Sequence, residues 1–208
     1  MKTFVLAALA SLSLTASAAP ISAPAASTQG AGLIGQNYVG AEFTYVRFNK
    51  QAVGAPKLAQ DYGFFFNQAL CANMDLGLSY DYTRLGASGV NVRDYTANLD
   101  LTAHTKLAWG KPFVTGTVGW EWIKTRSYNE NGFAYALGTG VEFQAGTEVS
   151  VAPFVSYKDT PRVNVVERSW NYGVRTNYRV NKEWSTTVTV AINNDKDMSY
   201  GIGLNYHF

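Results

Sequence analysis

The end of the chain carries the clearest pattern. Met198, Tyr200, Ile202, Leu204, Tyr206 and Phe208 are large and apolar or aromatic, and every residue between them is small or polar. A strict period of two describes a strand with one face in an apolar medium and the other in a polar interior. Read backwards from there, the same alternation predicts further strands near Tyr38–Phe48, Asp61–Leu70, Leu76–Arg84, Asp94–Leu107, Phe113–Ile123, Phe133–Phe143, Val149–Tyr157, Ser169–Val180 and Trp184–Asn193. With the terminal strand these make ten, each of the length that a tilted membrane-crossing strand needs, about 9–11 residues. None of the apolar faces carries an ionisable side chain, as lipid contact demands, since Arg or Lys there costs about 2–4 kcal/mol at mid-depth.

The connections alternate too. Cys71–Asp75, Ala108–Pro112, Gln144–Glu148 and Asn181–Glu183 are tight turns, whereas Asn49–Gln60, Leu85–Arg93, Lys124–Gly132 and Lys158–Arg168 are longer, and Asn194–Asp197 is short. The pattern therefore predicts an all-β, closed, antiparallel up-and-down transmembrane barrel of ten strands, with eight as the second arrangement. Three places resist it. Pro153 falls on the outward face of the seventh strand and predicts a bulge or a broken ladder bond, because proline cannot donate. The first strand loses phase near Val46-Arg47-Phe48, and Phe64-Phe65-Phe66 leaves the second strand's register open.

The other end of the chain adds export. Met1-Lys2, the apolar run Phe4–Leu14 and the small residues Ala16-Ser17-Ala18 form a signal peptide cut before Ala19. Residues 1–18 are then removed, 19–37 form a flexible periplasmic leader rich in Ala, Ser, Pro and Gly, and 38–208 form the barrel. The leader lacks alternation, so disorder is the default expectation and a loose plug the alternative. Charge is balanced, 17 Lys and Arg (Lys2 among them) against 15 Asp and Glu, and gives no reason to expect nucleic acid. Cys71 stands alone, which excludes an intramolecular disulfide.

A chain that ends on Tyr206-His207-Phe208 behind alternating strands resembles the small bacterial outer-membrane β-barrels of the OmpX, opacity-protein and OmpA-barrel type. The resemblance implies a monomeric barrel in the outer membrane of a diderm bacterium, with tight turns and both termini in the periplasm. It also implies that Tyr206 and Phe208 are the signal read by the barrel-assembly machinery. Aromatic girdles are expected at both headgroup levels. Tyr38, Phe113, Phe143, Tyr178, Trp184, Tyr206 and Phe208 are assigned to the periplasmic girdle. Tyr62, Tyr82, Tyr95, Trp122, Phe133, Tyr157, Trp170 and Tyr200 are assigned to the outer one.

Candidate chemistry is sparse. The only histidines, His104 and His207, fall inward near the periplasmic mouth, away from the outer rim where an omptin-like protease or an outer-leaflet acyltransferase would need one. The spacing offers no metal site, and no cofactor or enzyme activity is expected. Gly138, Gly140, Gly201 and Gly203 occupy inward positions, where they make room in a narrow lumen. Inward charges of both signs are expected from Glu42, Asp81, Asp100, Glu121 and Arg175, with Lys106, Glu142 and Arg179 lower down. A filled polar core is the first reading of these, and a narrow pore with an acidic constriction at Glu42, Asp81 and Asp100 is the second. Cations at the outer loops and strand ends, Arg84, Arg93, Arg126, Arg162 and Arg168 among them, point to lipopolysaccharide phosphates. The function expected is a non-enzymatic surface, structural or adhesion-type protein contacting lipopolysaccharide or extracellular partners, with a narrow passive channel as the alternative.

Overall fold

The computed structural model describes residues 31–49, 58–87, 90–125, 129–161 and 168–208. Alternating sequence becomes strand throughout: β1 (Tyr38–Arg47), β2 (Leu58–Cys71), β3 (Met74–Ala87), β4 (Val90–His104) and β5 (Lys111–Lys124) are followed by β6 (Asn129–Gln144), β7 (Val149–Asp159), β8 (Ser169–Arg179), β9 (Trp184–Asn193) and β10 (Met198–His207). Each strand pairs antiparallel with its neighbours in chain order, and β1 closes onto β10, with Tyr38 opposite His207 and Arg47 opposite Met198. The result is a closed barrel of ten strands with no free edge. Among the described residues no helix is long and apolar enough to cross a membrane.

Burial alternates along each strand and inverts the usual sense. Phe64, Leu137 and Ile202 are about 60% exposed on the outside, whereas Asp81, Asp100, Thr189 and Asn205 are buried inside. An apolar outer face with a polar interior is stable where the surroundings are hydrocarbon. The start of β1, the end of β10 and the tight turns share one end, called the near end here. At the far end two residues separate β3 from β4 and four separate β5 from β6, so the connections expected at Leu85–Arg93 and Lys124–Gly132 are shorter than the sequence suggests.

The three places of doubt resolve. In β1 the phase holds to Phe48. Val46 and Phe48 are buried inside and Arg47 is exposed outside, so it is the polarity of the lining that changes at the far end. Phe64 faces out and Phe65 is buried inside, and the irregularity of β2 lies instead between Ala69 and Cys71. Between β6 and β7 the ladder runs from Gly140 opposite Phe154 to Phe143 opposite Val151, with the pairs of Pro153 and Ala152 missing and no register shift, so the broken ladder is found and the bulge is not.

Two placements need correction. Tyr38 and Phe113, assigned from sequence to the outward girdle, are both buried in the lumen. β4 stops at His104 rather than Leu107, and Leu107 and Gly110 form an isolated bridge, so Lys106 is exposed in a turn and does not line the lumen.

Candidate functional site

The lumen is the one interior the fold builds, and its near half is filled. Residues 31–37, expected as part of a flexible leader, turn back into the barrel, and Ala31, Leu33 and Ile34 are buried there. The turn is made at Gly35, whose φ of 83° is open to glycine and strained for most other residues. Ile34 packs with Phe113, Phe154 and Ala191, and Leu33 packs with Tyr38 and Phe65. Tyr38 meets Phe65 edge-on with ring centroids 5.9 Å apart. Inward aromatics at strand ends thus have a cause: they form the walls of the cavity that the returning segment fills.

A buried segment without a strand partner must satisfy its backbone from side chains. Glu142 of β6 accepts from the N–H of Leu33 at 2.8 Å and of Ile34 at 3.3 Å. Lys111 of β5 donates to the Ile34 carbonyl at 2.6 Å and lies 3.6 Å from Glu142. The Ala31 carbonyl accepts from Asn177 and Ser150, Asn67 donates to the Gln36 carbonyl, and Asn37 accepts from the Ala69 N–H. Residues of five strands therefore converge on seven residues of backbone. Glu142 was legible as an inward charge, but its role as a backbone acceptor was not.

The middle of the lumen is polar and acidic, and beyond it Val46, Phe48, Leu85, Val92 and Ile123 face inwards at the far end. Glu42 and Asp81 face each other across Gly63, and Asp81 and Glu121 face each other across Thr96, so these three carboxyls share one row of the ladder. Asp61 and Asp94 flank Thr83 in the next row towards the far end. Asp100 lies nearer the near end, where Thr117 donates to it. The structure thus puts Glu42, Asp81 and Glu121 on one row of the ladder and Asp100 on a row nearer the near end. Opposing cations come from the other wall. Lys158 of β7 lies 3.3 Å from Glu121, which also accepts from Thr160 at 2.7 Å. Arg175 of β8 sits over the Phe154 ring at 5.9 Å, and its charge acts on Glu42. Gly201 makes the room for Glu42, because a Cβ there would collide with the carboxylate. Carboxyls outnumber cations in this layer, and among the described residues no group of them is arranged to hold a metal.

Two histidine pairs invite a catalytic reading. His207 lies between Arg179 (Nη1 to Nδ1, 2.9 Å) and Ser185 (Oγ to Nε2, 2.8 Å). Arginine only donates, so Nδ1 accepts and the hydrogen-bond geometry assigns the ring proton to Nε2, which donates to Ser185. A ring that donates to the serine is not placed to take its proton, so the pair lacks the base that an activated serine needs. His104 of β4 lies 3.1 Å from Asp75 of β3, so its ring is engaged by a carboxylate of the wall.

Among the rim cations, Arg84 and Arg93 point outwards at the far end and are exposed. Arg168 is 3.4 Å from Asp159 and so carries a counter-charge of its own, while Arg126 and Arg162 lie outside the described residues. At the near end Tyr206 packs on Trp184 and Phe208 stacks on Phe66, both facing outwards.

No protein-family model matches the chain, and no curated protein matches it. Solved structures do. An outer-membrane channel from Pseudomonas putida F1 superposes with a TM-score of 0.52 at 10% identity, over 89% of this chain and 100% of that one. The neisserial surface protein NspA gives 0.45 at 12% identity, over 83% and 97%, and the NalP autotransporter translocator domain from Neisseria meningitidis gives 0.48 at 9%, over 83% and 88%. The chain has the fold of the outer-membrane β-barrels, and at such identities the likeness speaks for fold alone.

Proposed function

We propose that this chain is a non-enzymatic surface or structural barrel of the outer membrane, closed in its resting form by its own residues 31–37. One observation carries the reading. Leu33 and Ile34 fill the space between Tyr38, Phe65, Phe113 and Phe154, with their backbone bonded to Glu142. The apolar pair, with its backbone bonded to the wall, fills the path that a hydrated ion would take through the near half. The near end, with the tight turns, the start of β1 and the end of β10, is taken as periplasmic and the far end as external, following the usual disposition of such barrels. Because every strand edge is paired within one chain, the barrel needs no second copy. Outward Tyr206 and Phe208 are free to be read during assembly.

Planar-bilayer recording of the refolded full chain tests this, with heat-modifiable gel migration as the folding control. Folded protein that passes no steady current supports a closed barrel. Steady conductance of the unmodified chain overturns it in favour of the second reading, a narrow passive channel for ions or small solutes. That reading has its own support in the surplus of carboxyls above the filled layer.

A further inference from the structure

We infer that Arg84, Arg93 and Lys124 form a binding site for the phosphates of an outer-leaflet glycolipid. This deepens the proposed function and rests on the membrane orientation given there. The three cations lie on adjacent strands in directly opposed positions: Arg84 of β3 faces Arg93 of β4, and Arg93 faces Lys124 of β5. All three are exposed and share the outward parity of the lipid-facing residues. The row ends on neutral amides, with Gln60 opposite Arg84 and Asn129 opposite Lys124.

Directly opposed side chains stand about 4.5–5.5 Å apart at Cβ, and like charges in that relation repel. Sheets usually relieve such a row with a carboxylate. Among the described residues none pairs with these cations, whose only recorded partner is the Tyr95 ring, 5.5 Å from Lys124 Nζ. The unrelieved charge therefore calls for an anion from outside the chain.

Position names its source. Two residues nearer the membrane centre on each strand runs an aromatic row, Tyr62–Tyr82–Tyr95–Trp122, in which Tyr62 and Tyr82 stack at 6.2 Å and Tyr82 and Tyr95 lie 5.1 Å apart. Aromatic rings of this kind settle at the headgroup level, and a step of two residues along a strand is about 7 Å. The cations therefore stand just outside the acyl boundary of the external leaflet. Phosphate groups on sugar headgroups occupy that depth, and guanidinium forks bind them bidentately.

The test measures co-elution of the refolded full chain with purified lipopolysaccharide in neutral detergent, with heat-modifiable migration confirming the fold. Each cation near an anionic membrane surface contributes about a fivefold factor, so the combined variant Arg84→Gln, Arg93→Gln, Lys124→Gln is expected to bind on the order of a hundredfold more weakly. Raising the salt should weaken the wild type and leave the variant little changed. Lys182→Gln, in a near-end turn, should bind as the wild type does. Equal binding by the triple variant overturns the site, and so does equal binding of phosphatase-treated lipopolysaccharide, a comparison that stands even if the variant does not fold. Equal retention by phosphatidylglycerol vesicles overturns the glycolipid as the source. Current from the same preparation with lipopolysaccharide binding intact would overturn the closed barrel and leave this site standing.

Discussion

The two halves of the lumen are occupied by different means. In the near half a segment that precedes the barrel fills the space, and contacts such as Leu33 with Glu142 join residues 109 positions apart. In the far half the occupants are the strands' own side chains, bonded to a neighbouring strand, as Thr83 to Asp61, or across the lumen, as Lys158 to Glu121. Closure by a separate segment can be removed while the barrel wall keeps every ladder bond. Filling by the wall cannot be undone without changing the wall. Conductance should therefore answer to the near half and stability to the far half.

The largest effect tests that division. Deleting residues 31–37 removes Leu33 and Ile34 and frees Glu142 and Lys111 to line the opening. Bilayer currents absent from the full chain should appear, and the reversal potential in a salt gradient should show cation preference, since Glu42, Asp61, Asp81, Asp94, Asp100 and Glu121 line the path ahead. A folded but silent deletion would mean that the wall aromatics close the barrel unaided. Next in size is Lys158→Met. It leaves Glu121 buried without its ion-pair partner, and breaking a buried pair costs about 3–5 kcal/mol. The urea midpoint of the heat-modifiable band should fall accordingly, and adding Glu121→Gln should recover most of the loss. If the double variant stays as unstable as the single, the pair is not the source of the cost.

Much of this architecture was legible because the barrel wall obeys a local rule. Alternation between lipid and lumen placed ten strands, and the inward parity of Glu42, Asp81, Glu121 and Arg175 followed from it. The rule failed where the medium changes at a strand end. Tyr38 and Phe113 read as girdle residues because aromatics at strand ends usually face the headgroups, yet here they face an apolar occupant. At the far end Val46 and Phe48 read as a loss of phase because the inward lining there is apolar rather than polar. The occupant itself has no period, and its hydrogen-bond partners lie on five strands remote in sequence, so alternation could not find it. The available signal was Leu33-Ile34 set between Gly32 and Gly35, an apolar pair with glycine on either side just before the first strand.

The smallest effect sets the finest limit on the comparison. Thr117 donates to Asp100 inside the barrel, and Val is close to Thr in shape but cannot donate. Thr117→Val therefore removes one hydrogen bond to a buried carboxyl, for a loss of about 1–3 kcal/mol. Thr102 and Thr115 share their hydroxyls one row nearer the near end, so the neighbouring polar row is left intact. The urea midpoint should drop slightly, and the bilayer should remain silent because Leu33, Ile34 and their aromatic neighbours are untouched. A silent, slightly weakened barrel keeps stability and closure as separate properties of the two halves. Current from this variant would show that a change in the wall reaches the filled layer, and the two halves would have to be treated as one packed interior.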